Sequence, residues 1–189
     1  MTTAVTICSN ALLELGASPI ASFDETGNQA RLAANLYPPN RDALLRSHTW
    51  NCCVKRVSLS PLVGVPAYGF AFAYQLPGDW VRTIKLGNFA DYSVDFRQEG
   101  RQLLCSANSL QLRYVFRNTN EGTWDDKLVE VMTALMKWRF AYPITKSTSL
   151  RDTLGAEYRM LLQQAKSIDS MEEPSEQIAE ESPLISVRN

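Results

Sequence analysis

The sequence of 189 residues offers few of the side chains that catalysis or metal binding requires. It contains a single histidine, His48, and four cysteines with no CxxC pair, of which Cys52 and Cys53 are adjacent. A serine or cysteine nucleophile with a histidine base would have to use His48, which we expect instead to cap or pack at a helix end. Adjacent cysteines without a second cluster fit zinc poorly, and they do not form a disulfide framework.

Motifs for phosphate binding, hydrolysis and membrane insertion are also missing. No GxxxxGK[ST], GxGxxG, GxSxG or HExxH string occurs, so we expect no cofactor, no metal and no catalytic residue from these families of motifs. The first 16 residues, MTTAVTICSNALLELG, have no basic segment before the apolar ones and do not resemble a signal peptide. No apolar run approaches the ~18 residues of a membrane helix. We therefore expect synthesis in a reducing cytoplasm and no membrane contact.

Charge is nearly balanced in the whole chain but unevenly distributed. The net charge is −1, whereas residues 170–189 contain five acids and one base, a net of −4 that leaves +3 for the remainder. A net charge near zero gives no general electrostatic attraction to nucleic acid. Acids, serines and two prolines without a sustained period predict that residues 170–189 form an extended arm, which ends in an unusually apolar stretch.

Apolar periodicity predicts the secondary structure. Helical spacing over residues 3–15 is followed by a second helix to about residue 50, which Pro38 and Pro39 should kink or interrupt. Alternation from residue 55 to 117 predicts strands, and helical spacing returns after Gly122, with capping boxes that begin at Thr123 and Ser149. Pro143 should end the first of these two helices.

These elements predict an α+β fold. Residues 1–53 and 123–169 would form one helical bundle, residues 54–122 a small, mostly antiparallel β-sheet inserted in the middle, and residues 170–189 the extended C-terminal arm.

The predicted sheet has one solvated face that carries basic side chains. Arg97, Arg113 and Arg117 occupy the polar positions of the alternating strands, with Arg101 in a neighbouring turn. The aromatic residues of these strands share the apolar face, which favours a core over a base-stacking surface for RNA. They are Tyr92, Phe96, Tyr114 and Phe116. We expect the arginines to remain solvated or to meet acids of a neighbouring subunit.

Two further features leave alternatives open. Residues 61–74 (PLVGVPAYGFAFAY) would form either a loop folded over the core or an exposed apolar surface that binds a partner. Carboxylates could form the pair that glycoside hydrolysis requires, from Glu14 with Asp24 or from Asp125 with Asp126. A solvated helix residue and a helix cap are the simpler interpretations of Glu14 and Asp126.

Several strings, in this order, resemble the head-to-tail adaptor and tail tubular protein A family of short-tailed bacteriophages. They are residues 11–16 (ALLELG), Tyr37 with residues 40–45 (NRDALL), residues 48–51 (HTWN), residues 74–82 (YQLPGDWVR), and Leu154, Tyr158, Leu161 and Ala165 of the last helix. The resemblance covers roughly residues 4–169. Cys52, Cys53 and Trp80 depart from the family pattern, but each is an apolar exchange.

The resemblance implies a structural role in the neck of the virion. Members form a dodecameric ring beneath the portal, extend the DNA channel, and meet the tail nozzle (tail tubular B-like) protein on the other side. We expect the arm to dock on the portal, with Leu184, Ile185 and Val187 as anchors and Glu180 and Glu181 meeting portal bases. Arg97, Arg113 and Arg117 would make lateral or nozzle contacts. Genomic DNA would pass through without specific binding.

Two other classes of function remain alternatives. One is a tail-associated peptidoglycan hydrolase that uses a carboxylate pair, and the other is a small nucleic-acid-binding sheet protein. Cell-wall turbidity assays would reveal the first, and a steep salt dependence of DNA binding would reveal the second.

Overall fold

The structure, a computed structural model, describes residues 2–87 and 95–172. Its helices are α1 (Ala4–Glu14), α2 (Asn28–Arg46), α3 (Asp126–Thr145) and α4 (Thr148–Glu172). Its strands are β1 (Val54–Leu59), β2 (Phe72–Gln75), β3 (Trp80–Leu86), β4 (Phe96–Glu99), β5 (Gln102–Cys105) and β6 (Leu110–Phe116). Helices at both ends with antiparallel strands between them confirm the predicted α+β class.

The helical body is built around α3, which packs against α1, α2 and α4. Met132, Met136 and Phe140 of α3 are fully buried and meet Ile7 and Leu12 of α1 in one core. Helix α1 begins at the N-cap Thr3, whose Oγ1 accepts the Thr6 amide hydrogen bond at 3.1 Å. Among the described residues, no helix is long and apolar enough to cross a membrane.

The strands divide between two small sheets, whereas one sheet was predicted. The first sheet has the order β1-β6-β3 and the second the order β2-β5-β4, and all pairs are antiparallel. A second core cluster lies between the sheets and includes Tyr74, Leu76, Leu103, Leu110 and Leu112. The other face of the first sheet packs on the helical body through Val81 and Val115. The first sheet is therefore buried in part on both faces, which the alternating pattern did not reveal.

Strand β3 does not keep a simple alternation of faces. Its pairing with β6 shifts register between Trp80 and Arg82 and again between Thr83 and Lys85. Each shift inserts a residue and turns the following side chains to the other face. As a result Val81 and Ile84 both reach the helical core, although the two-residue period assigns them to opposite faces.

The prediction that Pro143 ends its helix was wrong, and of the kink or interruption predicted at Pro38 and Pro39 the interruption does not occur. Helix α2 continues through Pro38 and Pro39, and α3 extends two residues past Pro143. Pro38 and Pro39 lie on the exposed side of α2, where water can bond the carbonyl groups that the prolines leave without a helical donor. Burial of Tyr37 and Leu44 on the opposite side holds the helix together.

The boundary of the predicted arm also changes. Helix α4 continues to Glu172, so residues 170–172 are helical and were wrongly assigned to the extended arm. Residues 173–189, which include Glu180, Glu181, Leu184, Ile185 and Val187, lie outside the described residues. Tyr92 lies outside them as well. Phe96, which we expected in the core, begins β4 and is 39% exposed because β4 is an edge strand.

Gly155 permits the close packing of α4 on α3. A Cβ atom there would lie 2.9 Å from Trp138 Nε1. The indole cannot easily move, because it stacks on Tyr158 with ring centroids 5.6 Å apart and carries the Arg139 guanidinium 4.4 Å above its ring.

We therefore expect Gly155→Ala to destabilise the protein. Overpacking costs about 1–3 kcal/mol, which outweighs the gain of about 1 kcal/mol that alanine normally brings to a helix. Urea unfolding measures the difference. Gly64→Ala is the matched control, since nothing lies within 4 Å of its added Cβ. A Gly155→Ala protein at least as stable as the wild type would contradict this packing.

Candidate interaction surfaces

The single histidine lies in a polar joint formed by His48, Asn51 and Asp169. His48 Nε2 is 2.9 Å from Asp169 Oδ2. The backbone N–H of Asn51 donates to Oδ1 of the same carboxylate at 3.0 Å. Asn51 Nδ2 also donates to the Asp169 backbone oxygen at 2.9 Å. Asp169 is only 8% exposed, so these bonds replace water around a nearly buried carboxylate. His48 thus packs beyond the end of α2, as expected, and fastens α4 to the chain that enters β1.

The residues beside the polar joint tie further elements together. Trp50 is buried and donates from Nε1 to the Leu44 carbonyl at 3.1 Å. Thr49 Oγ1 accepts a hydrogen bond from Arg82 of β3 at 2.6 Å. Lys166 Nζ of α4 donates to the Ser47 carbonyl at 3.0 Å. The segment from residue 47 to 51 therefore connects α2, α4 and the first sheet, and its polar groups serve these connections.

The adjacent cysteines have their side chains in contact. Their sulfur atoms are 3.7 Å apart. The contact with Cys52 and burial both raise the pKa of the Cys53 thiol, which disfavours the thiolate that binds metals. Within residues 2–87 and 95–172, no group of three or more His, Cys, Asp or Glu side chains could hold a metal ion.

Two of the four candidate carboxylates, Glu14 and Asp125, have structural partners. Glu14 forms an ion pair with Lys137 of α3 at 2.8 Å. Asp125 caps α3, because its side chain accepts the Lys127 amide hydrogen bond at 2.8 Å. The cap is thus two residues after the predicted Thr123. For α4 the cap is Ser147, whose Oγ accepts from the Leu150 amide at 3.2 Å, and Ser149 lies inside the helix.

Besides Asp169, sequence reasoning missed a second buried acid, Glu121. Its carboxylate is 7% exposed and accepts a hydrogen bond from the Tyr37 hydroxyl at 3.0 Å. Burial and the charge of Glu121 raise the pKa of Tyr37, and the same two causes raise the pKa of Cys8 to about 12. Glu121 follows the last strand and precedes α3, so its bond fixes this connection against α2. No local sequence signal distinguishes it from a solvated glutamate.

Asp79 forms a second junction, between β1, β3 and β6. Its carboxylate lies 2.7 Å from Lys55 Nζ and accepts the Tyr114 hydroxyl at 3.0 Å, while its backbone oxygen accepts the Arg117 amide at 2.6 Å. Burial opposes ionisation of this carboxyl, but the two side-chain hydrogen bonds and the charge of Lys55 outweigh it and lower the pKa of Asp79. Burial and the bond to Asp79 raise the pKa of Tyr114 to about 12.

The structure does not bring the three predicted contact arginines onto one face. Arg97 is exposed on β4 of the second sheet. Arg113 lies on β6 of the first sheet, with Arg56 and Lys85 directly opposite on the two flanking strands. Arg117 follows β6 and donates from Nε to Asp42 of α2 at 2.8 Å. Arg97 and Arg113 are therefore separate basic positions, and Arg117 links the sheet to the helical body.

The loop between β1 and β2 is an exposed apolar surface. Val63 is fully exposed, and Val65 and Tyr68 are 73% and 88% exposed. The loop covers part of the second sheet around an open cavity of about 910 Å³, beside Arg97. Three large apolar side chains in one exposed segment favour the binding-surface interpretation of residues 61–74 over a loop folded on the core.

A second surface is a cavity of about 380 Å³ between α3 and α4, here called the arginine pocket. Its lining consists of three arginines, one acid, one aromatic ring and one glycine: Arg139, Arg151, Arg159, Asp152, Trp138 and Gly155. Three guanidinium groups against one carboxylate give the pocket a net positive charge.

Comparison with known proteins adds no relative. No protein-family model matches the sequence, and no curated protein is significantly similar to it.

We predict that the polar joint stabilises the whole protein. Asp169→Ala removes a nearly buried acceptor and leaves the Asn51 amide and His48 without their partner, so we expect a loss of about 2–3 kcal/mol in the free energy of unfolding. Denaturant unfolding measures it. Asp152→Ala, which removes an exposed carboxylate paired with the adjacent Arg151, should change stability by about 0.5 kcal/mol or less. Equal effects of the two substitutions would contradict a special role for Asp169.

The junction at Asp79 predicts a pH dependence. Because the folded-state pKa is depressed, ionised Asp79 stabilises the fold fully above its ordinary pKa of 3.8, and this contribution is lost as pH falls through the lower folded-state value. The stability advantage of the wild type over Asp79→Asn should therefore be constant near neutral pH and shrink below about pH 4. Urea unfolding at a series of pH values tests this. Asp24→Asn, at an exposed acid, should show no such change.

Proposed function

We propose that the protein is a structural head-to-tail adaptor of a short-tailed bacteriophage. In this role it assembles into a dodecameric ring in the neck of the virion, joins the portal to the tail nozzle, and extends the channel through which DNA passes. The proposal assigns the protein no catalytic activity, no cofactor and no specific DNA site.

The observation that carries the proposal is where two of the strings that resemble the adaptor family lie. Residues 48–51 (HTWN) form the polar joint and its neighbours, and Asp79 of the YQLPGDWVR string forms the second junction. These strings are far apart in sequence, and each holds elements of the helical body or the sheets together. Their chemistry maintains a scaffold, which is what a structural subunit requires.

The exposed surfaces are consistent with a ring. A head-to-tail ring needs two different contact surfaces on every subunit. This chain offers an apolar loop beside the second sheet and a basic pocket between α3 and α4, on separate elements. We assign Arg97 and Arg113 to lateral or nozzle contacts, and we give Arg117 a lesser part because Asp42 already binds it.

The arm is assigned to the portal. Leu184, Ile185 and Val187 would anchor in a groove of the portal, with Glu180 and Glu181 against portal bases. Ordering such a segment costs conformational entropy, which repeated contacts around a ring can offset.

Light scattering on the purified protein, alone and mixed with the portal of its phage, tests the proposal. We expect a ring-sized complex with the portal. A chain truncated after Glu172, which keeps α4 complete, should retain the circular dichroism spectrum and thermal unfolding of the wild type but fail to bind the portal. A wild-type protein whose mass does not change with portal would rule out the adaptor function. Portal binding by the truncated chain would instead rule out only the role of the arm.

A further inference from the structure

The arginine pocket has a preorganised basic lining. Arg139 is fixed by Trp138 beneath its guanidinium and by Asn40, whose Oδ1 accepts from Arg139 Nε at 2.9 Å. Arg151 donates two hydrogen bonds, of 3.0 and 2.8 Å, to the carboxylate of Asp152, which also lines the pocket. Arg159 is exposed and has no hydrogen bond or ion pair with any residue in the described part of the chain. The pocket therefore has more guanidinium donors than its own carboxylate can use.

The lining also has the composition of a hot spot in a protein–protein interface. Tryptophan and arginine are enriched among the residues that contribute most to binding, especially where an aromatic ring is held rigidly. Trp138 is held between Arg139 and Tyr158, and its indole packs directly on Gly155, where a Cβ atom would lie 2.9 Å from Nε1. Planar guanidinium groups bind carboxylates in a bidentate manner.

We propose that the arginine pocket binds the first acids of the arm, Glu173 and Glu176, from a second copy of the chain. Charge complementarity supports this occupant, since residues 170–189 carry −4 and the rest of the chain +3. The contact rests on the proposed ring and identifies one of its lateral interfaces. It leaves Glu180, Glu181 and the apolar end of the arm for the portal.

The length of α4 excludes a contact between these acids and Arg151 of the same chain. Arg151 lies 21 residues before Glu172, the last residue of α4, which corresponds to about 32 Å along the helix axis. The four residues from Glu172 to Glu176 span at most about 14 Å when fully extended. Even with both long side chains added, Glu176 cannot reach Arg151 of its own chain. A contact that includes Arg151 is therefore head-to-tail: the end of one α4 meets the beginning of the next.

Reciprocal charge reversal in the full-length chain tests the proposal. Sedimentation velocity over a range of protein concentrations measures self-association of the wild type and of two variants, Arg151→Glu/Arg159→Glu and Glu173→Lys/Glu176→Lys. We expect each variant to weaken self-association by about tenfold or more. Mixing the two variants should restore it, because the reversed pocket of one then meets the reversed arm of the other.

Two matched controls separate this contact from general charge effects. Arg31→Glu changes an exposed base on α2, and Glu180→Gln/Glu181→Gln changes the later acids of the arm. Both should associate as the wild type does. Circular dichroism of each variant verifies the fold, and the rescue by mixing excludes misfolding as the cause of any loss.

Three results would overturn the proposal. They are a wild-type chain that stays monomeric at every concentration, variants that associate like the wild type, and mixtures that fail to recover. A short DNA duplex that binds through Arg151 and Arg159 while self-association stays unchanged would identify a phosphate site instead. None of these results affects the portal-binding measurement, so the adaptor function can stand while the arm contact fails.

Discussion

The nearly buried carboxylate of Asp169 is the interaction on which the arrangement of the helices and sheets depends. It lies late in α4, yet it binds His48 and Asn51, which lead from α2 into β1. A carboxylate with little access to water is stable only when its oxygens are hydrogen-bonded, so α4 and the start of the first sheet hold one relative position. The second core cluster includes residues of the first sheet, and the arginine pocket lies partly on α4. The hydrogen bonds of Asp169 connect these two parts of the molecule.

Local signals were sufficient for the class of fold and for most of its elements. Thr3 caps α1, and Gly16 follows that helix with the positive φ of 73° that favours glycine. The period change near residue 54 located the first strand, and the return of helical spacing after Gly122 located α3, whose Leu128, Met132 and Leu135 are buried. These features succeed because each depends on neighbours within a few residues.

Features that depend on distant partners could not be predicted. The register shifts of β3 follow from its fit against β6 and the helices, so the side-chain alternation of the sequence assigned Val81 and Ile84 to opposite faces. Glu121 and Asp169 resemble solvated acids until Tyr37, His48 and Asn51 are placed around them. The amino-acid composition of residues 61–74 was enough to identify the apolar loop as a candidate surface. The arginine pocket could not be identified in this way, because it forms only when α3 and α4 pack together.

The pairing of β1 with β6 has a consequence for folding. The chain leaves the helical body through β1 and returns through β6, and these two strands pair directly, from Val54 opposite Val115 to Leu59 opposite Leu110. Once they pair, the two ends of a long intervening segment are held side by side, and α3 can reach α1 and α2 without a further large loss of chain entropy. Residues can then be added or removed at the turns of the second sheet while the helices keep their places, so that evolution can reshape this end of the protein without moving the other.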